Sequence, residues 1–198
     1  LYSRFNTIGV FGDRVKRVSN VKGIHNAHIE AAKLAKTSYF YVVDGDAKVV
    51  QDFKFAHTAE ERDTVHVYHS KNPVNDLTYG YGGIKLLPTT LTHNMDTTTT
   101  DMTTSISDKF KVIDEVSNIT AFDTDAFSTW KSAFRECAKL ASKTINRQDE
   151  EETNARLKTW TTYAIGSYKR DALRGANAGM QFGLSNSSDL NLINNFDW

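Results

Sequence analysis

The chain has 198 residues, with 24 Lys+Arg balanced by 24 Asp+Glu and a formal net charge of zero. That length supports one domain with a substantial core. The charge balance excludes a protein drawn onto nucleic acid by a global basic field, so any such contact must come from a local patch. The hydrophobic share of 39% and charged share of 24% describe an ordinary soluble globular protein. The single cysteine, Cys137, cannot close an internal disulfide and fits a reducing compartment. No apolar run is long enough to span a bilayer and no signal-peptide pattern is seen, so the sequence reads as cytoplasmic and free of membrane. It opens on Leu1 rather than Met, and we expect a segment before it.

Leu1 to Ile8 reads as the end of a helix and Phe11-Gly12-Asp13 as a turn. Arg14 to Ser19 alternates like a short strand with a basic outer face. Helical spacing begins at Gly23, where Ile24, Ala27, His28, Ala31, Leu34 and Ala35 would share one face. Tyr39-Phe40-Tyr41-Val42-Val43 follows, a β-preferring run that reads as a strand buried on both faces. Strand, helix and strand make a βαβ unit, which favours a parallel sheet.

That run leads directly into Asp44-Gly45-Asp46. Unpaired charge does not stay in a core, so a buried strand ending in two acids should open into a cleft. Asp-x-Asp at a strand's carboxyl end can aim two oxygen ligands at a divalent cation, with Gly45 allowing the tight turn. Open α/β sheets bind ligands at that edge. The alternative is a plain strand-end turn.

Phe53 and Phe55 alternate, and Thr64 to His69 is a further period-two strand broken at Asn72-Pro73. Tyr79-Gly80-Tyr81-Gly82-Gly83 reads as a loop whose glycines admit a substrate close to the backbone and whose tyrosines offer flat faces. A glycine-rich hairpin turn is the alternative. Ile84 to Pro88 is a short strand closed by proline, and Thr89 to Ser107 a long threonine-rich loop, functional or disordered.

The last third is helical. Phe127, Trp130, Phe134, Cys137, Ala138, Ala141 and Ile145 keep helical spacing behind an Asp125 N-cap. Asp149-Glu150-Glu151-Glu152 opens another helix, with Leu157, Trp160 and Ala164 as its stripe. Asp171 to Phe182 suggests one more. The tail from Ser185 keeps Leu190, Leu192, Ile193, Phe196 and Trp198 and should dock.

Lys22, just before a helix start, would meet a phosphate there. His28 falls on the apolar stripe, as core histidines do, and His66 and His69 belong to a sheet face. Arg135 and Glu136 lie off their helix stripe, where a solvated surface is the plain reading. Facing a cleft, Arg135 would hold diphosphate bidentately and Glu136 would act as a base. Arg156, Lys158, Lys169, Arg170 and Arg174 form a scattered basic face that either steers DNA phosphates or is simply solvated.

Asn20-Val21-Lys22-Gly23-Ile24, His25 to Ala35, and Phe40 to Asp46 together resemble the core of a GT-A glycosyltransferase. The likeness points to the phage-encoded TET-associated glycosyltransferases, thought to transfer sugars to hydroxymethylated pyrimidines in DNA. Ser70 to Leu77 with Tyr79 to Leu86 is a second matching block, and Phe127 to Cys137 a third. The resemblance implies an α/β fold with a mostly parallel sheet flanked by helices and a helical C-terminal third. It implies one domain, 1–198, with a nucleotide-sugar and metal part over 1–107 and an acceptor-side part over 108–198. The strand that usually opens such a domain is expected to be lost or to lie outside this sequence.

A nucleotide-sugar donor, a UDP-sugar in this reading, loses a diphosphate on which negative charge develops, and Mn²⁺ or Mg²⁺ suits the oxygen ligands that Asp44 and Asp46 offer. Asp46 would be the direct ligand, with Asp44 reaching the metal through water or holding the ribose. Lys22, His25, Asn26, Asp44, Tyr79, Tyr81, Gly82, Gly83, Lys85 and Arg135 make the expected donor-binding set. The Tyr79 to Gly83 stretch also resembles a galactosyltransferase loop in which an acid follows and serves as base. Here Ile84 and Lys85 follow, so Asp76 is the substitute, with Glu136 as the other candidate base. DNA is the expected acceptor. The alternatives are a glycosyltransferase acting on a glycan or small molecule, and an inactive sugar-nucleotide or DNA-binding module.

Overall fold

The computed structural model describes residues 11–99, 101–143 and 149–194. The chain is α/β and divides into two compact units, one built from residues up to 70 with 78–120, the other from 71–77 with the chain from 121 onward. The expectations for Leu1 to Ile8, Ile145, Phe196 and Trp198 lie outside the described residues.

The first unit contains helix α1 (Ile24–Leu34) and strands β1 (Tyr39–Val43), β2 (Lys48–Val49), β3 (Val65–Lys71), β4 (Thr78–Pro88) and β5 (Phe110–Ile119). The five strands lie in the order β1-β4-β3-β5-β2. β1 runs antiparallel to β4, with Tyr39 opposite Pro88 and Val43 opposite Ile84, and β2 runs antiparallel to β5. β3 and β5 run the same way, because Val65 N–H bonds to the Lys109 carbonyl at their starts and the Ser117 hydroxyl to the His69 carbonyl near their ends. The sheet is therefore mixed, which corrects the mostly parallel expectation. A short connection joins β3 to β4, with Asn72 N–H on the Leu77 carbonyl at 2.8 Å, and so short a link permits only antiparallel neighbours.

Residues 15–19 carry no regular structure, so the expected βαβ unit does not form. Arg14, Lys16 and Arg17 leave that segment only Val15 and Val18 to bury. β1 is the last strand on its side among the described residues, and all five of its residues are half-buried rather than sealed on both faces. Alternation splits it between two cores. Phe40 and Val42 pack with Ile29, Val65, Val67 and Leu87. Tyr39, Tyr41 and Val43 pack with Phe53, Tyr68, Ile84 and Leu86.

Three further sequence expectations change. The Tyr79–Gly83 stretch is strand, not loop, because β4 runs unbroken from Thr78 to Pro88. The threonine-rich segment folds into short helices α2 (Thr89–His93) and α3 (Met102–Ile106). Met95, Met102 and Ile106 are buried anchors there, and the Asp101 carboxylate caps α3 by accepting from the Thr103 and Thr104 N–H groups. α1 buries His25, His28 and Ala32 while Ile24 and Leu34 are exposed, so its inner face is rotated from the expected stripe. His25, which the expected stripe left out, is buried beside His28 on that inner face.

In the second unit α4 (Ala126–Ser142) and α5 (Glu150–Thr162) start where Asp125 and Asp149 accept N–H bonds from Ser128 and Glu152, as the sequence suggests. α6 (Lys169–Ser185) lies against α4 so closely that a Cβ on Gly175, Gly179 or Gly183 would stand within 2.2, 2.1 or 2.3 Å of the carbonyl oxygens of Trp130, Phe134 and Ala138. Only glycine permits that approach. Val74, Ala133, Cys137, Leu140, Trp160 and Ala176 form the core, and burial pushes the Cys137 thiol well up. Phe127 heads α4 in the open rather than in its stripe. In the tail, Leu190 and Ile193 dock on Phe134 and Ala138, while Leu192 is exposed. Among the described residues no helix is long and apolar enough to cross a membrane.

Candidate functional site

The end of β1 is fixed by its partner strand. Asp44 N–H bonds to the Gly83 carbonyl at 2.9 Å, which extends the ladder one residue past Val43. Ala47 N–H then returns to the Asp44 carbonyl at 3.0 Å and closes a turn over Asp44 to Ala47. Asp46 projects from that turn into solvent. Gly45 has a negative φ and open space where a side chain would be, so the turn does not depend on glycine there, contrary to expectation.

The Asp44 carboxylate is held from the neighbouring strand. Lys85 lies opposite Val42, and its Nζ donates to Asp44 Oδ1 at 2.9 Å. The pair is lopsided: the Lys85 side chain is 5% exposed and that of Asp44 32%. Gly82 makes room for the lysine stem, since a Cβ there would come within 3.1 Å of Lys85 Cε, and its φ of 94° suits glycine alone.

His28 approaches the same pair from α1. Its Nδ1 lies 2.8 Å from the Ile24 carbonyl oxygen. A carbonyl only accepts, so Nδ1 carries the proton and Nε2 presents a bare lone pair. That Nε2 is buried with no hydrogen-bond partner among the described residues. Burial first, then the Lys85 charge, bring the His28 pKa down to about 4, against a weaker upward pull from Asp44. The ring is neutral at pH 7.

A second buried polar group lies against Gly83, the residue whose carbonyl accepts from Asp44 N–H. Ser70 Oγ donates to Asn118 Oδ1 at 2.8 Å, and the Asn118 Nδ2 is buried without a partner among the described residues. Gly83 is required here too, as a Cβ would stand 2.5 Å from that nitrogen. Ser70 and Asn118 were not foreseen as site residues. β5 has no clean period-two pattern, with Val112 and Val116 exposed, so nothing in the sequence marked Asn118 as facing inward.

The remaining candidates divide. Lys22 and Asn26 are exposed at the start of α1, joined by the Asn26 amide on the Lys22 carbonyl. His25 is buried, 3.4 Å from the Thr99 hydroxyl; burial lowers its pKa and the nearby Asp101 and Asp96 pull it back up. Tyr79 is buried and meets Tyr81 edge-on, and Tyr81 is the more exposed of the two. Asp76, Arg135 and Glu136 belong to the second unit. Asp76, at a φ of 57°, lies 3.6 Å from Lys71 in an exposed pair. Glu136 accepts from Arg156 at 2.7 Å with both side chains nearly sealed, which also removes Arg156 from the expected basic surface.

No protein-family model, no curated protein and no solved structure matches this chain. The chemistry must therefore be argued from the residues. Among the described residues no group of three or more His, Cys, Asp or Glu side chains converges as a metal centre would. The carboxylates at the turn are hard oxygen donors that suit Mg²⁺ or Mn²⁺. Asp46 is open to such an ion, and Asp44 shares its charge with Lys85.

Proposed function

We propose that the protein is a metal-dependent glycosyltransferase, moving a sugar from a nucleotide-sugar donor to a hydroxyl on a hydroxymethylated pyrimidine of phage DNA. The observation that carries this reading is the acidic turn at the end of β1, with Asp46 exposed beside an Asp44 fixed by a buried lysine. The sequence blocks around it resemble GT-A enzymes, and that resemblance alone supplies the DNA acceptor.

In this reading Asp46 is the direct ligand of Mn²⁺ or Mg²⁺, and Asp44 reaches the ion through water or holds the ribose. The ion, when bound, neutralises charge on the departing diphosphate. Lys22, Asn26 and His25 at the start of α1 hold the nucleotide, and the exposed Tyr81 offers a ring for stacking. Glu136 is engaged with Arg156, which leaves Asp76 as the carboxylate to take the acceptor proton. Acting on a base in duplex DNA requires groove access or flipping, with Lys158, Lys169, Arg170 and Arg174 as the local basic patch.

The test is incubation with a panel of nucleotide sugars and DNA containing hydroxymethylcytosine or hydroxymethyluracil, read by mass spectrometry. A mass increase of one sugar per modified base is expected, abolished in Asp46→Asn. Full transfer by that variant would remove the metal role. A second reading, a sugar-nucleotide module without turnover, is favoured by the sealed Glu136–Arg156 pair, which takes one candidate base out of play. It would be selected by UDP and Mn²⁺ raising the melting temperature while no acceptor gains mass. Transfer to a glycan or small molecule but not to DNA would redirect the acceptor.

A further inference from the structure

We propose that Lys85 withholds Asp44 from direct metal coordination, so that the acidic turn takes a divalent cation through Asp46 until the lysine charge is moved or removed. This inference rests on the metal reading above and names the residue that sets the affinity of that site.

Three observations carry it. The Lys85 ammonium is almost fully buried, and Asp44 is the hydrogen-bond acceptor that it reaches, at 2.9 Å. An ion bonded to the same carboxylate would place a dication and an ammonium a few ångströms apart. A buried ammonium that loses its carboxylate is left unpaired in a low-dielectric site at large cost, so the lysine and the metal compete for Asp44. The third observation is His28. Its Nε2 lone pair is buried, without a partner among the described residues, and close enough to feel both members of the pair. It is an acceptor with nothing to accept, within range of the Lys85 charge.

The experiment is Mn²⁺ binding to the full chain without nucleotide, followed by calorimetry and by the loss of the free-ion electron paramagnetic resonance signal. Lys85→Met should bind Mn²⁺ at least about tenfold more tightly than the parent, the scale expected for removing one unit charge near a dication. Lys85→Gln, which keeps a hydrogen-bond donor for Asp44, should gain in the same direction, and Lys85→Arg should not gain. Asp44→Asn added to Lys85→Met should cancel the gain. Circular dichroism of each variant confirms that it is folded.

Equal affinity of the parent and both neutral Lys85 variants, with binding lost in Asp46→Asn, would overturn this inference and leave the metal reading standing. A gain that survives Asp44→Asn would overturn it as well. No Mn²⁺ binding by the parent or any variant would overturn both.

Discussion

Among the described residues each unit holds an ion pair with a buried cation, and the two pairs are built differently. Glu136 and Arg156 in the second unit are both nearly sealed, at 12% and 10% exposure, and tie α4 to α5. Asp44 and Lys85 in the first unit share a sealed cation and a carboxylate open to solvent on one side. A pair closed on both sides can only hold structure. A pair with one open member can exchange its partner, and that is what a binding site needs.

The contrast can be broken first where it is strongest. Glu136→Leu removes the carboxylate 2.7 Å from a buried Arg156, while Glu152 stands at 3.7 Å, and should cost about 4 kcal/mol in urea unfolding. Stability unchanged within error, with activity lost, would return Glu136 to the role of base. Next is acid. The folded-state pKa of His28, at about 4, lies below its unfolded value near 6.5, so below that value the unfolded chain binds the extra proton. Stability should then fall by about 3 kcal/mol as pH drops from 6.5 toward 4, beyond what a His28→Met chain loses over the same range. Parallel pH curves for the two proteins would show that His28 is not buried neutral.

A smaller effect separates the two acids of the turn. Asp44→Asn strands the buried lysine and should cost about 2 kcal/mol, while Asp46→Asn should stay within about 0.5 kcal/mol. Equal losses would dissolve the asymmetry on which the site rests. The smallest expectation concerns Gly45→Ala, which enters open space at ordinary φ and should change the melting temperature by less than about 2 °C.

The second unit was the more legible from sequence. Asp125 and Asp149 cap helices where they stand, and Trp160 and Cys137 are buried where helical spacing puts them. Local rules suffice there. In the first unit the strand Tyr39–Val43 and the acidic turn were readable, but their neighbours were not. β4 brings Lys85 to Asp44 across 41 positions of chain, and no local pattern encodes that register. The glycines between Tyr79 and Ile84 signalled a loop; they serve instead as gaps for Lys85 and the Asn118 amide within a strand. Lys85 itself was singled out as a donor contact, and its place under the acidic turn depends on pairing that only the folded sheet supplies. His28 was rightly read as a core residue, and its unmatched nitrogen became visible only with the neighbours in place.

The short segment 71–77 has a consequence for how this chain can be divided. It leaves the sheet after β3, contributes Val74 to the helical core, and returns as β4. Ile165 N–H even bonds to the Val74 carbonyl at 2.7 Å. Severing the polypeptide after residue 120 would therefore not yield two self-sufficient halves. The C-terminal fragment would lack one of its own plugs, and the N-terminal one would carry a hairpin tip stripped of its shelter. Expressed separately, each should be soluble only when the other is supplied.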